Sequence, residues 1–277
     1  MTSARHKRLH QKIDELIDAL RQKKSIAVAL SGGVDSSLVA MLACRALGEK
    51  ASAITINSPL LPSGDINIAR KTAGEIGIEH VVLELNELDI PGFSNNPPDR
   101  CYLCKRFRFA TLKKKANEMG LKVVADGTTY SDLSEYRPGI RTLKELDVYS
   151  PLLQAGITKQ QTRSIGNLLG LTTASKPANT CLATRIPYGE FLEPARLKRI
   201  DSAEVYIRAL TGVKTLRVRD HGNMARIEVG NDEIKRLLNS AVMGKISQQL
   251  RGLGYSFVTL DLEGYRPGIY DYRFQGK

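Results

Sequence analysis

Residues 29–37 read ALSGGVDSS, and what flanks them decides the fold. Upstream, SIAVAL (25–30) is a short apolar run of strand type; downstream, SSLVAMLACRALG (36–48) has a helical pattern. The alternation continues with a strand at ASAITIN (51–57), a helix at PSGDINIARKTAGEIG (62–77) and a strand at HVVLEL (80–85). Beyond the loop IPGFSNNPPD (90–99) come a helix at CYLCKRFRFATLKKKANEMG (101–120) and a strand at KVVADG (122–127). LDVYSPL (146–152) and a helix at 158–170, with Thr158 as its N-cap, extend the unit. Strands and helices at this spacing predict an α/β fold, a parallel sheet with helices on both faces.

After RIPYG (185–189) the texture changes. A helix over 194–212 precedes TLRVRDHGNMARIEVG (215–230), whose two alternating runs around DHGN predict a hairpin. A helix over 232–254 and a strand at SFVTLDL (256–262) complete a small α+β module. The expected domains are therefore 1–188 and 189–277. The tetrapeptide YRPG occurs at 136–139 and 265–268, which reads as two Pro-Gly turns, each carrying an arginine, Arg137 or Arg266.

The 277 residues, 42% of them hydrophobic, suffice for a sizeable core. The longest apolar run, LVAMLAC (38–44), is far short of the roughly 18 residues of a membrane helix, and charges stand where a signal peptide would be apolar. The expectation is a cytoplasmic protein without membrane contact, and four cysteines then read as thiols for metal or catalysis. A net charge of +12 attracts anions, with nucleotides favoured over nucleic acid as the partner.

At the end of a strand and the start of a helix, SGGVDSS occupies the ligand crevice of an open α/β sheet. Gly32 and Gly33 let the backbone approach a phosphate, Ser31, Ser36 and Ser37 add hydroxyls, and the helix N-terminus adds oriented N–H groups. Asp35 can hold the Mg²⁺ that accompanies a nucleotide. Neither GxxxxGK[ST] nor GxGxxG is present. Asp126 and Gly127, at the end of a later strand, are candidate contacts of metal or nucleotide, with a plain strand-end turn as the alternative. Cys181, in an irregular segment four residues before Arg185, is a candidate thiolate, whereas Cys44 lies in an apolar helical run and reads as a core residue.

The SGGxDS pattern resembles that of the PP-loop ATP pyrophosphatases, which cleave ATP between the α and β phosphates to adenylate an oxygen. With NTCLATRIPYG, TLRVRDHGNMARIEVG, YSFVTLDLEGYRPG and DGTTYSDLSEYRPG, essentially the whole chain resembles the LarE-type ATP-dependent sulfur transferases. That resemblance implies adenylation of the carboxylates of pyridinium-3,5-biscarboxylic acid mononucleotide and their conversion to thiocarboxylates, in nickel-pincer nucleotide cofactor biosynthesis and lactate racemase maturation. It also implies a homo-oligomer. By motif position Cys181 matches the sulfur-carrying cysteine, Arg217 and Arg219 the phosphate-binding arginines, and Arg185 and Glu204 residues of the same site. Alternation puts Arg217 and Arg219 on one strand face, a fork suited to a phosphate, with a solvated basic face as the plain alternative.

CYLC (101–104) bears on the branch of the family. In one branch a single cysteine gives up its sulfur; in the other, three cysteines resembling Cys101, Cys104 and Cys181 hold a [4Fe–4S] cluster whose fourth iron binds sulfide. All three are present here, and the sulfide donor is not encoded. A Cys₃His zinc site recruiting His221, a dithiol redox pair and a cluster-dependent PP-loop tRNA thiolase are the competing readings.

Overall fold

The computed structural model describes residues 3–134, 139–176 and 179–271. Its elements run α1 (Ser3–Arg21), β1 (Ile26–Ala29), α2 (Val34–Leu47), β2 (Ala51–Asn57), α3 (Asp65–Ile76), β3 (Glu79–Glu84), α4 (Arg100–Glu118) and β4 (Val123–Ala125). They continue with α5 (Ile140–Glu145), α6 (Pro151–Gln154), α7 (Lys159–Leu168), α8 (Pro194–Thr211), β5 (Leu216–His221), β6 (Met224–Val229), α9 (Ser240–Gly252) and β7 (Phe257–Leu260).

The chain divides into two compact units. The first comprises 1–58, 64–85 and 99–178; the second comprises 59–63, 86–98 and 179–277. Hydrogen bonds explain why two early loops join the later unit. Leu182 N–H donates to the Leu60 carbonyl and Ser63 N–H to Asp201, while Asn96 donates its amide to the carbonyls of Ile186 and Pro187.

In the first unit the strands lie in the order β3-β2-β1-β4, all parallel. Side-chain alternation splits the strands between two apolar layers. Ile26, Val28, Ala51 and Ala53 pack with residues of α1, α2, α3 and α7, whereas Ala27, Ile54, Ile56 and Val124 pack with Phe109, Leu112 and Ala116 of α4 and Leu143 of α5. Helices thus cover both faces of the sheet, as the sequence predicts. The chain leaves β1 toward β2 on one side, and β4 returns on the other, so the crevice of this doubly wound sheet lies at the carboxyl ends of β1 and β4.

Two elements differ from expectation. The reading leaves residues 1–24 as a basic start, yet α1 forms there and buries Leu9, Ile13, Leu16 and Leu20, a helical stripe masked by lysines and arginines. The helix expected over 232–254 is α-helical only from Ser240, because the Asn239 side chain accepts from the N–H groups of Ala241 and Val242 and caps it there. Thr158 does cap α7, in a reciprocal pair with Gln161.

The second unit has a sheet ordered β5-β6-β7, with the expected hairpin pairing β5 and β6 antiparallel. Leu216 and Val218 face a core shared with Ala203 and Ile207 of α8 and Ile246 and Leu250 of α9. Arg217 and Arg219 are on the opposite face by alternation.

Candidate functional site

In the first unit, α2 begins directly after the glycine turn, with Gly33 at its N-cap. Gly32 has φ +73°, and a β-carbon there would crowd the Ala69 amide nitrogen at 3.2 Å, so both backbone shape and space call for glycine. The Ser36 hydroxyl accepts from the Ser31 N–H at 3.1 Å and lies 3.0 Å from the Ser31 hydroxyl. The Ser36 and Ser37 hydroxyls donate to the Gly33 carbonyl. The serines therefore hold the turn closed, while the α2 N-terminus directs its dipole outward, an anion-binding arrangement. Asp35 stands in the first turn of α2.

The end of β4 meets this turn. A β-carbon on Gly127 would lie 2.5 Å from the Ser36 amide nitrogen and 2.8 Å from the Asp35 carbonyl carbon. Asp126, beside it, accepts from the Thr128 N–H, the Thr128 hydroxyl and the Ser150 hydroxyl. Its carboxylate thus shapes the turn that carries Gly127. Thr129 and Asp132 form a second buried pair, with Lys159 3.1 Å from Asp132. Sequence reasoning missed both the Ser150 and the Lys159 partners; the run DGTTYSD was the only local signal.

Cys101 and Cys104 lie in the first turns of α4, one helical turn apart and both half-buried. A β-carbon on Gly139 would meet the Lys105 side chain at 2.6 Å and the Cys101 carbonyl oxygen at 3.3 Å, while Tyr102 donates its hydroxyl to Glu145. Cys44 packs against the main core, as expected. The four cysteines stand as thiols. Among the described residues, no group of three or more His, Cys, Asp or Glu side chains is gathered as a metal site.

In the second unit, Cys181 starts the short 3₁₀ turn Leu182–Arg185. Arg185 closes it: this guanidinium is 0% exposed and donates to the carbonyls of Thr180 and Cys181 and to the hydroxyls of Thr180 and Thr184. Its remaining edge meets Glu204 of α8 at 2.9 and 3.2 Å. Glu204 also accepts from Arg208 and from the Val218 N–H on the outer edge of β5. Burial, the largest single influence, would raise the Glu204 pKa, but Arg185, Arg208 and Arg217 together hold the carboxyl below its ordinary range.

Arg217 and Arg219 are both almost fully buried, so they do not form the solvated basic face that was the plain alternative. Arg219 donates to both Glu228 and the Thr184 carbonyl. Arg217 donates to the Leu216 carbonyl, and burial, followed by the charge of Arg185, lowers its pKa to about 10. Tyr265 and Tyr270 lie against the two guanidiniums, contacts that sequence reasoning missed. A third buried network joins Asp220 to Arg196, Arg199 and the Tyr255 hydroxyl. His221 lies edge-on to Tyr270, its pKa lowered by burial and then by Arg226. Arg137 lies outside the described residues, and Arg266 pairs with Glu263.

A parallel sheet carrying a glycine-serine turn of this form at its crevice defines the class of PP-loop enzymes that use ATP. Residues 9–94 match the family model described as asparagine synthase. The chain is 40% identical to an uncharacterized protein of Synechocystis, over 94% of this chain and 97% of that one. It is 35% identical to the pyridinium-3,5-bisthiocarboxylic acid mononucleotide synthase of Lactiplantibacillus plantarum, over 91% of each. A glutamine-hydrolyzing GMP synthase of Aeropyrum pernix is 27% identical over 48% of this chain and 27% of its own length. The chain belongs to the LarE-type ATP-dependent sulfur transferases. No helix among the described residues is long and apolar enough to cross a membrane.

Proposed function

We propose that this protein adenylates the carboxylates of pyridinium-3,5-biscarboxylic acid mononucleotide and converts them to thiocarboxylates, in the route to the nickel-pincer nucleotide cofactor. The observation that carries the reading is the Cys181 turn, whose carbonyls and hydroxyls are gathered by a wholly buried arginine beside the strand that bears Arg217 and Arg219. The likeness of nearly the whole chain to the Lactiplantibacillus plantarum synthase supports it.

In this reading the turn of Ser31–Ser37 binds the ATP phosphates through backbone N–H groups and the α2 dipole. Asp35 would hold Mg²⁺, whose hard charge suits a carboxylate. Arg217 and Arg219 orient the substrate phosphate. The substrate carboxylate oxygen bonds to the α-phosphorus as the bond to pyrophosphate breaks, and a sulfur nucleophile then displaces AMP from the acyl carbon.

Thiolates are the ordinary ligands of a [4Fe–4S] cluster, and the chain offers two on one turn of α4 and a third ahead of the 3₁₀ turn Leu182–Arg185. We assign Cys101, Cys104 and Cys181 as the residues that would hold it. With three protein ligands, such a cluster would supply an iron open to sulfide. A cytoplasmic homo-oligomer completes the proposal.

The test uses protein reconstituted without oxygen, assayed for iron, acid-labile sulfide, pyrophosphate and thiocarboxylate. About four irons per chain with repeated turnover are expected. Cys101→Ser should fold normally and release pyrophosphate, yet make at most about one thiocarboxylate per chain. Undiminished multiple turnover in Cys101→Ser would remove the cluster from the proposal.

A further inference from the structure

The second YRPG turn carries Arg266 beside Glu263, and its tyrosine ring lies against Arg217 in the second unit's candidate site. Gly264, at φ +68°, turns the chain across the end of β6, where a β-carbon would strike Asn231 and the Val229 carbonyl. The Tyr265 N–H then donates to that same carbonyl at 2.8 Å. From this anchor residues 265–271 run over the face of the small sheet that carries Arg217 and Arg219. The Tyr265 ring centre lies 4.9 Å from the Arg217 guanidinium carbon, and the Tyr270 ring centre 5.4 Å from that of Arg219. Two rings five residues apart thus meet two arginines two residues apart. The far end is latched, since the Tyr188 hydroxyl donates to Asp271 at 2.8 Å and the Tyr270 hydroxyl lies 3.4 Å from His221 Nε2.

The arrangement has a physical purpose that a surface strap would not need. Arginine carries a long flexible stem, and fixing its planar head before a ligand arrives removes an ordering cost from binding. An aromatic face does this without consuming the N–H donors that point outward in the guanidinium plane. A carboxylate fixes the head too, as Glu228 does for Arg219, but it occupies donors and cancels charge.

We infer that Tyr265 and Tyr270 are positioning residues that hold Arg217 and Arg219 by their ring faces for an incoming phosphomonoester. The inference rests on the reading of those arginines as the substrate-phosphate fork. It makes the C-terminal segment part of the substrate site of this unit, and it makes ring faces rather than hydroxyls the feature that matters.

The experiment is calorimetric titration of the full-length protein with pyridinium-3,5-biscarboxylic acid mononucleotide, alongside steady-state KM values for that compound and for ATP. Tyr265→Leu should weaken binding of the mononucleotide about five-fold and raise its KM to match, with the KM for ATP and kcat unchanged. Tyr265→Phe should restore wild-type binding, and Tyr270→Leu should act in the same direction if Tyr265→Leu folds poorly. Arg217→Gln is the control for the underlying reading. If Arg217→Gln abolishes binding while both leucine variants bind as wild type does, the ring contacts are structural only and the inference fails alone. If Arg217→Gln also binds normally, the phosphate fork itself is wrong and the inference falls with it. Equal losses in Tyr265→Phe and Tyr265→Leu would overturn the role of the ring face.

Discussion

The two units build their candidate sites from opposite materials. In the first, a turn of glycines and serines offers backbone N–H groups and a helix dipole, fixed by hydroxyls bonding to nearby backbone. In the second, Arg185, Glu204, Arg219, Glu228 and Asp220 are charged side chains buried to 5% exposure or less. A backbone cradle depends on the absence of side chains, so it fails when an atom is added. A buried ion-pair network depends on complete partnership, so it fails when one atom group is removed. The contrast also fits the work proposed for each. A polyphosphate that must arrive and leave suits many modest N–H donors, whereas a thiol that must be presented in one orientation suits a rigid, fully satisfied frame.

The sharpest challenge to this contrast is Glu204→Ala. It leaves Arg185 buried without its carboxylate and should cost about 3–5 kcal/mol in a denaturant titration. A cost below about 1 kcal/mol would mean that the Cys181 turn does not depend on the pair. Next comes Gly127→Ala, where a single methyl group would meet the Ser36 amide nitrogen at 2.5 Å and push the cradle out of register. The expected outcome is a loss on the order of 100-fold in kcat/KM for ATP, because misplacement of a binding loop by about 1 Å has effects of that size. Normal ATP kinetics in a folded Gly127→Ala protein would show that the β4 turn does not position the cradle. The smallest effect is expected at Thr158→Ala, which removes the reciprocal cap of α7 and should lower stability by about 1 kcal/mol without altering ATP kinetics. It calibrates the others, since the loss of a helix cap should separate stability from activity.

The parallel sheet, its flanking helices, the hairpin and the α7 cap were legible because each follows from local pattern. Period-two and period-3.6 apolar spacing, or a threonine ahead of a helical run, specifies its element without distant help. The N-terminal helix was missed although Leu9, Ile13, Leu16 and Leu20 carry the right spacing, because the surrounding basic residues dominate the composition. The late start of α9 hinged on Asn239, a cap inside a run that otherwise reads as continuous helix.

Sequence by itself determined the glycine-serine turn at the start of α2. Glycine backbone freedom, serine hydroxyls and a helix start are properties of seven consecutive residues, and their energetics are local. Only the tertiary structure decided how the arginines are used. Arg185 and Glu204 are brought together by the packing of α8 along β5, Arg219 finds Glu228 across the hairpin, and Tyr265 reaches Arg217 from far along the chain. An isolated arginine reads as a surface charge because water is its ordinary partner. Burial reverses that default only when distant residues supply every bond that water would have made.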